Sequence, residues 1–210
     1  MNAILFFIIF LGHAPAACLV DSKIAYHPST TDISMLENAV EDFQHVIERE
    51  LPNPLRLSIS IDHLNPKVNA DIVRDKNDLH IKIFGGMINH AKMSPETLQL
   101  LLCHEAGHFF GGPPLKSRNG WSSTEGQADY YSGLRCAHLF GFNETSFIQS
   151  SFDLTSIYAE VSMDLKPQIE QCDETIVSRT NFGYPRAQCR FDTLLAGWRG
   201  VERPRCWFSH

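Results

Sequence analysis

His104-Glu105-Ala106-Gly107-His108 sets two imidazoles four residues apart, with a carboxylate next to the first. On an α-helix, positions 104 and 108 lie one turn apart and project from one face, so both rings can reach a single metal ion. Glu105 is rotated by about 100° from His104, which puts its carboxylate beside the ion rather than on it. There it can take a proton from a zinc-bound water and pass it to a leaving amine. Two histidine donors with a carboxylate base alongside suit a hydrolytic Zn²⁺, so zinc is the expected cofactor. The spacing therefore predicts His104 and His108 as ligands and Glu105 as the general base.

A hydrolytic zinc takes a third protein ligand and keeps its fourth position open. One known continuation, H-E-x-x-H-x-x-G-x-x-H, finds its glycine at Gly111, but position 114 is Pro114, which cannot ligate. Another takes a glutamate from a second helix within E-x-x-x-D. Seventeen residues after His108 the chain reads Glu125-Gly126-Gln127-Ala128-Asp129, preceded by a helix-start cluster, Ser122-Ser123-Thr124. Glu125 and Asp129 fall on one face of that helix. Glu125 is then the third ligand. Asp129 accepts a hydrogen bond from the non-ligating ring nitrogen of a zinc histidine, with His104 the expected partner.

The two motifs together resemble the gluzincin metallopeptidases, the group that includes thermolysin. Gln127-Ala128-Asp129 followed by Tyr130 and Tyr131 is most similar to the zinc-binding glutamate segment of CAAX-prenyl-type peptidases. Those are multi-span membrane proteins and this chain has no such spans, so only the zinc core carries over, over about residues 79–136. The resemblance implies a zincin-like α+β fold, a small twisted sheet packed on an active-site helix and a second metal-ligand helix. It implies that the strand before the active-site helix, Leu79–Phe84, pairs with the substrate backbone, with the Gly85-Gly86 bend letting a peptide approach closely. It also implies one more polar group from the last third of the chain to stabilise the oxyanion; Tyr184, Arg190 and Tyr158 are the candidates.

The elements that must position these residues show in the hydrophobic pattern. Ile33, Leu36, Val40, Phe43 and Ile47 mark one face of a helix over residues 32–50, stopped by Pro52 and Pro54. Leu55, Leu57, Ile59 and Ile61 alternate with polar residues as a strand does, and Val68–Val73 and Leu79–Phe84 are two further strands. Ser94-Pro95-Glu96 starts the helix that carries the histidines, and Gly111-Gly112-Pro113-Pro114 ends it. Residues 147–166 read as helical, and the remainder as a loop-rich region stapled by disulfides. No repeat or linker divides the chain, which predicts a single α+β domain over residues 17–210.

Residues 3–11 are an apolar run too short to span a bilayer, followed by Ala14-Pro15-Ala16, which offers the small residues of a signal-peptidase cut. Residues 1–16 are therefore expected to be a signal peptide and the mature protein to be secreted or periplasmic, with no transmembrane anchor. A lipid anchor at Cys18 is the minority alternative. The six cysteines all follow the cut, and their even number suits an exported, disulfide-bonded domain with 15 conceivable pairings. Cys103–Cys136 is the expected pair, tying the two metal-bearing helices together. A net charge of -6 with no Lys/Arg run excludes a broad nucleic-acid-binding field. The expected function is an exported zinc-dependent endopeptidase acting on a peptide or protein. The alternatives are a secreted binding or structural domain with a zinc-stabilised core, and a cell-wall peptide hydrolase. Latency, with residues 17–31 across the cleft, stays open.

Overall fold

A computed structural model describes residues 32–209. The segment 1–16 expected to be a signal peptide, Cys18 and residues 17–31 lie outside the described residues. The architecture is mixed α and β, with one three-stranded sheet and helices. Asp32 accepts a hydrogen bond from the Ser34 N–H and so starts α1, Ile33–Glu50, which buries Leu36, Ala39, Val40, Phe43 and Ile47. Ile33, at the outer end of that stripe, is 43% exposed. Strands β1 (Arg56–Asp62), β2 (Ala70–Asp75) and β3 (Asp78–Phe84) follow. Leu57, Ile59 and Ile61 of β1 lie opposite Leu79, Ile81 and Ile83 of β3, so one face of the sheet is continuous and apolar. The other face is polar: His80 sits between the Ser58 and Ser60 hydroxyls, and Lys82 pairs with Asp62.

The strand order is β1-β3-β2, with β1 parallel and β2 antiparallel to β3. This corrects the expectation for Leu79–Phe84. Bonded on both sides, β3 has no free backbone edge to offer a peptide; the edge strands are β1 and β2, and it is the β2 side that borders the cleft. The physical reason lies in the burial that made the segment recognisable: Leu79, Ile81 and Ile83 are within 1% of full burial because the strand is central. The room at Gly85 and Gly86 is also taken. These residues open a short helix, α2 (Gly85–Ile88), and a Cβ on them would sit 2.3 Å and 2.1 Å from the carbonyl oxygens of His63 and Pro66. The chain's own 63–66 segment, not a substrate, makes that close approach.

Helix α3 spans Pro95–Phe110, capped by the Ser94 hydroxyl, and is buried continuously from Leu100 to His108. It ends through Gly111 into Gly112, which takes the left-handed conformation at φ 71°. Helix α4 (Glu125–Tyr131) continues through one widened π-turn, Ser132–Cys136, into a short α5, Ala137–Leu139. Cys136 is bonded to Cys103, across 33 residues. Between Glu125 and Cys136 the chain therefore does not run as regular α-helix throughout. The widened turn slows the helical rotation, and Cys136 at its end is fully buried.

Asn143 caps α6, Glu144–Ser162, in a reciprocal capping box, and the helix stops where Met163 turns left-handed, short of residue 166. The region expected to be loop-rich contains a further helix, α7 (Ala187–Trp198). Its buried Phe191, Leu194 and Leu195 recur at helical spacing, a signal present in the sequence. A second disulfide, Cys189–Cys206, staples the C-terminal tail onto α7 and buries Trp207 completely, and Cys172 is disulfide-bonded as well.

The two motif-bearing helices touch backbone to backbone. A Cβ on Gly107 would lie 2.7 Å from the Ala128 carbonyl oxygen and 2.9 Å from its Cα. Neither atom can move without displacing α4. Gly107→Ala is expected to lower unfolding free energy by about 2–3 kcal/mol, measured by urea denaturation; a change of less than about 0.5 kcal/mol would show that the helices separate easily.

Candidate metal centre

Helix α3 presents His104 and His108 to Glu125 of α4, and each ring is oriented by its other nitrogen. His104 Nδ1 lies 2.7 Å from Asp129 Oδ1. His108 Nδ1 lies 2.8 Å from the Ser123 carbonyl oxygen, while the Ser123 N–H donates back to the His108 carbonyl. A carbonyl can only accept, so His108 Nδ1 carries the proton and Nε2 keeps its lone pair. The two Nε2 atoms face the Glu125 carboxylate, at 3.3 Å for His104 and 3.6 Å for His108. The three donor atoms lie within 4.8 Å of one another and all three residues are buried. Two imidazole lone pairs, one carboxylate and hydrogen-bonded outer nitrogens are the donor chemistry that zinc takes. A second cluster, Asp173 with Cys189 and Cys206, offers no thiolate because its sulfurs are joined in the disulfide.

Behind the donors lies a buried ion-pair chain that the motifs did not disclose. Arg190 of α7 forks onto Asp129, with Nε 2.7 Å from Oδ2 and Nη2 2.9 Å from Oδ1. Asp129 is fully buried and Arg190 is 4% exposed. Helix α7 reaches that depth because Gly197 lets it approach α4; a Cβ there would lie 2.2 Å from the Tyr130 carbonyl oxygen. The Arg190 guanidinium also stacks over the Tyr158 ring of α6, at 3.8 Å from the centroid.

Charge and burial divide the titratable groups. Burial works against ionised His104, but the Asp129 charge and hydrogen bond outweigh it and raise its pKa to about 9. His108, whose partner is a neutral carbonyl, is lowered to about 3 by burial and by the His104 charge. Glu125 is held well below the usual carboxylate range, against burial, by the hydrogen bond and charge of His104 and then by Arg190. Asp129 is likewise held low against burial, chiefly by Arg190. Glu105 is 5% exposed, and burial, partly opposed by the His104 charge, pushes it up to about 7.

A cleft of about 940 Å³ opens against this cluster, bounded by residues 67–72 on the β2 side, by the end of α6 and by residues 184–187. His104, Glu105, His108 and Glu125 all line it. The three oxyanion candidates occupy different places. Tyr184 stands at the mouth, 77% exposed, and Arg190 is committed to Asp129. Tyr158 lines the cleft with a buried hydroxyl that has no hydrogen-bond partner among the described residues. Sequence reasoning missed the Ser123 carbonyl, since a backbone acceptor carries no residue signature. It also missed Lys116, whose Nζ lies 2.7 Å from Glu125 Oε1. No family model, curated protein or solved structure matches this chain.

The pKa shifts set the pH response of the protein stripped of metal by a chelator. His104 and Glu105 both titrate higher in the fold than their ordinary 6.5 and 4.5. The fold therefore favours their protonated forms. The His104 contribution is complete below pH 6.5 and is lost as pH rises through 9; that of Glu105 is complete below 4.5 and is gone above 7. Urea midpoints of the chelator-treated protein are expected to fall from pH 6.5 to 9, and a rise over that interval would contradict the His104–Asp129 assignment.

Proposed function

We propose that this chain is an exported zinc-dependent endopeptidase. The observation that carries the reading is the donor count. Among the described residues three donors converge, with Glu105 beside them and an open cleft against them. A zinc kept for folding alone is ordinarily closed by a fourth protein ligand. The disulfides agree with an oxidising, extracytoplasmic compartment, and no helix among the described residues is long and apolar enough to cross a membrane.

His104 Nε2, His108 Nε2 and Glu125 would hold Zn²⁺, which when bound polarises the scissile carbonyl and acidifies water. Glu105 takes the proton of the attacking water and returns it to the leaving amine, and a pKa near 7 suits both transfers. Asp129 keeps His104 Nδ1 engaged, and Arg190 keeps Asp129 ionised and in place, so the His104 ring cannot turn away from Glu125. Tyr158 donates its unclaimed hydroxyl to the developing oxyanion. Burial raises its pKa well above 10, so it remains a donor across the working range. The substrate is an extended peptide or protein segment lying along the cleft.

Glu105→Gln is expected to reduce hydrolysis of a mixed quenched-peptide library by about 10³-fold or more, while zinc content stays at one ion per chain. Equal activity in wild type and variant would remove Glu105 from the reaction. Tyr158→Phe is expected to lower kcat by about 10²-fold with no loss in urea midpoint, because the hydroxyl has no partner among the described residues to forfeit. Unchanged kcat would leave Tyr158 a packing residue.

A further inference from the structure

Two cations flank the Glu125 carboxylate, and they differ in how firmly they are held. Arg190 Nη2 lies 3.8 Å from Oε2, with its side chain 5% exposed and forked onto Asp129. It is built in. Lys116 Nζ lies 2.7 Å from Oε1, with its side chain 40% exposed at the cleft wall. The Lys116 backbone is fixed: its N–H donates to the Ser122 carbonyl, Leu115 bridges to Ser123, and the Thr124 N–H donates to the Pro114 carbonyl. The part free to move is the side chain. The oxygen it covers is the one that faces His108 Nε2.

Charge balance assigns the ammonium a temporary place. In the metal-loaded site His104 is a neutral ligand, so the ionised Glu105, Glu125 and Asp129 are set against one permanent protein cation, Arg190, which leaves two negative charges in a buried site. A divalent ion neutralises them. Lys116 is then surplus, and in contact with a like charge where screening is weak. We propose that Lys116 is a displaceable counter-cation of the metal centre: its ammonium holds Glu125 Oε1 until a divalent cation binds, then withdraws into the cleft. The inference rests on the reading of His104, His108 and Glu125 as metal ligands. Its function is to keep Glu125 oriented before the ion arrives and to set the free-zinc level at which the site fills.

The test reads metal binding and lysine exposure rather than turnover. Chelator-treated full-length mature wild type, Lys116→Met and Lys116→Arg are titrated with zinc against a chromophoric chelator. Lys116→Met is expected to bind zinc roughly tenfold more tightly than wild type, since no ammonium has to leave. Lys116→Arg, which keeps the charge, is expected to stay within about threefold of wild type. An amine-acylating reagent read by peptide mass is expected to modify Lys116 faster in the zinc-loaded wild type than in the metal-free one, with exposed Lys76 unaffected. Equal or weaker zinc binding by Lys116→Met, or Lys116 acylation indifferent to zinc, overturns the proposal. If none of the three proteins binds zinc, this proposal and the metal-centre reading fall together. Tightened binding in Lys116→Met without peptide hydrolysis removes the peptidase reading alone.

Discussion

Asp129 has no access to solvent, and its ionised carboxylate survives there only because His104 and Arg190 supply three hydrogen bonds to its two oxygens. An unpaired charge at that depth would cost several kcal/mol, more than most single contacts in the protein provide. The pairing therefore constrains three helices at once. α3 must bring His104, α4 must bring Asp129 and α7 must bring Arg190, and none can shift by an ångström without leaving a charge exposed to apolar surroundings. Pre-organisation of the donors follows from that constraint. His104 Nε2 faces Glu125 because Nδ1 is already spoken for.

Backbone contacts and covalent links carry this constraint to the rest of the fold. Gly107 lets α3 lie directly on α4, and Gly197 does the same for α7 against α4. Cys103, the residue before His104, is tied to the end of the widened turn that follows α4. Cys189, the residue before Arg190, is tied to the C-terminal tail. Each bridge thus anchors the neighbour of a residue in the buried ion-pair chain. Closing a loop of 33 residues contributes about 3–4 kcal/mol in the chain-entropy account.

The same geometry separates the two histidines. His104 faces a carboxylate and is driven toward the cation, whereas His108 faces a carbonyl and is driven toward the neutral ring. Glu105, buried and with no ion pair among the described residues, is left near neutrality, where a group can both accept and return a proton. Permanent charge lies behind the donors and adjustable charge lies in front of them: Arg190 is locked in the core, while Lys116 reaches in from the cleft wall.

Local pattern determined a good deal of this protein. The helical stripe after Asp32, the Ser94 cap, the glycine break after Phe110 and the i, i+4 spacings of His104/His108 and Glu125/Asp129 are all short-range features, read from residues that touch within one turn. Helix α7 was legible too, in the spacing of Phe191, Leu194 and Leu195, but its three neighbouring cysteines suggested a loop instead. Tertiary structure alone decided which strand is central and which two lie at the edges, since an apolar run such as Leu79–Phe84 is equally apolar wherever burial places it. It also decided the contacts of Asp129 with Arg190, of His108 with Ser123 and of Glu125 with Lys116. The first joins residues 61 positions apart, and the second uses a backbone oxygen that every residue possesses. Motif spacing records what one helix presents on its own face. What faces it from another helix depends on how closely the two backbones pack, and that is a property of the folded chain.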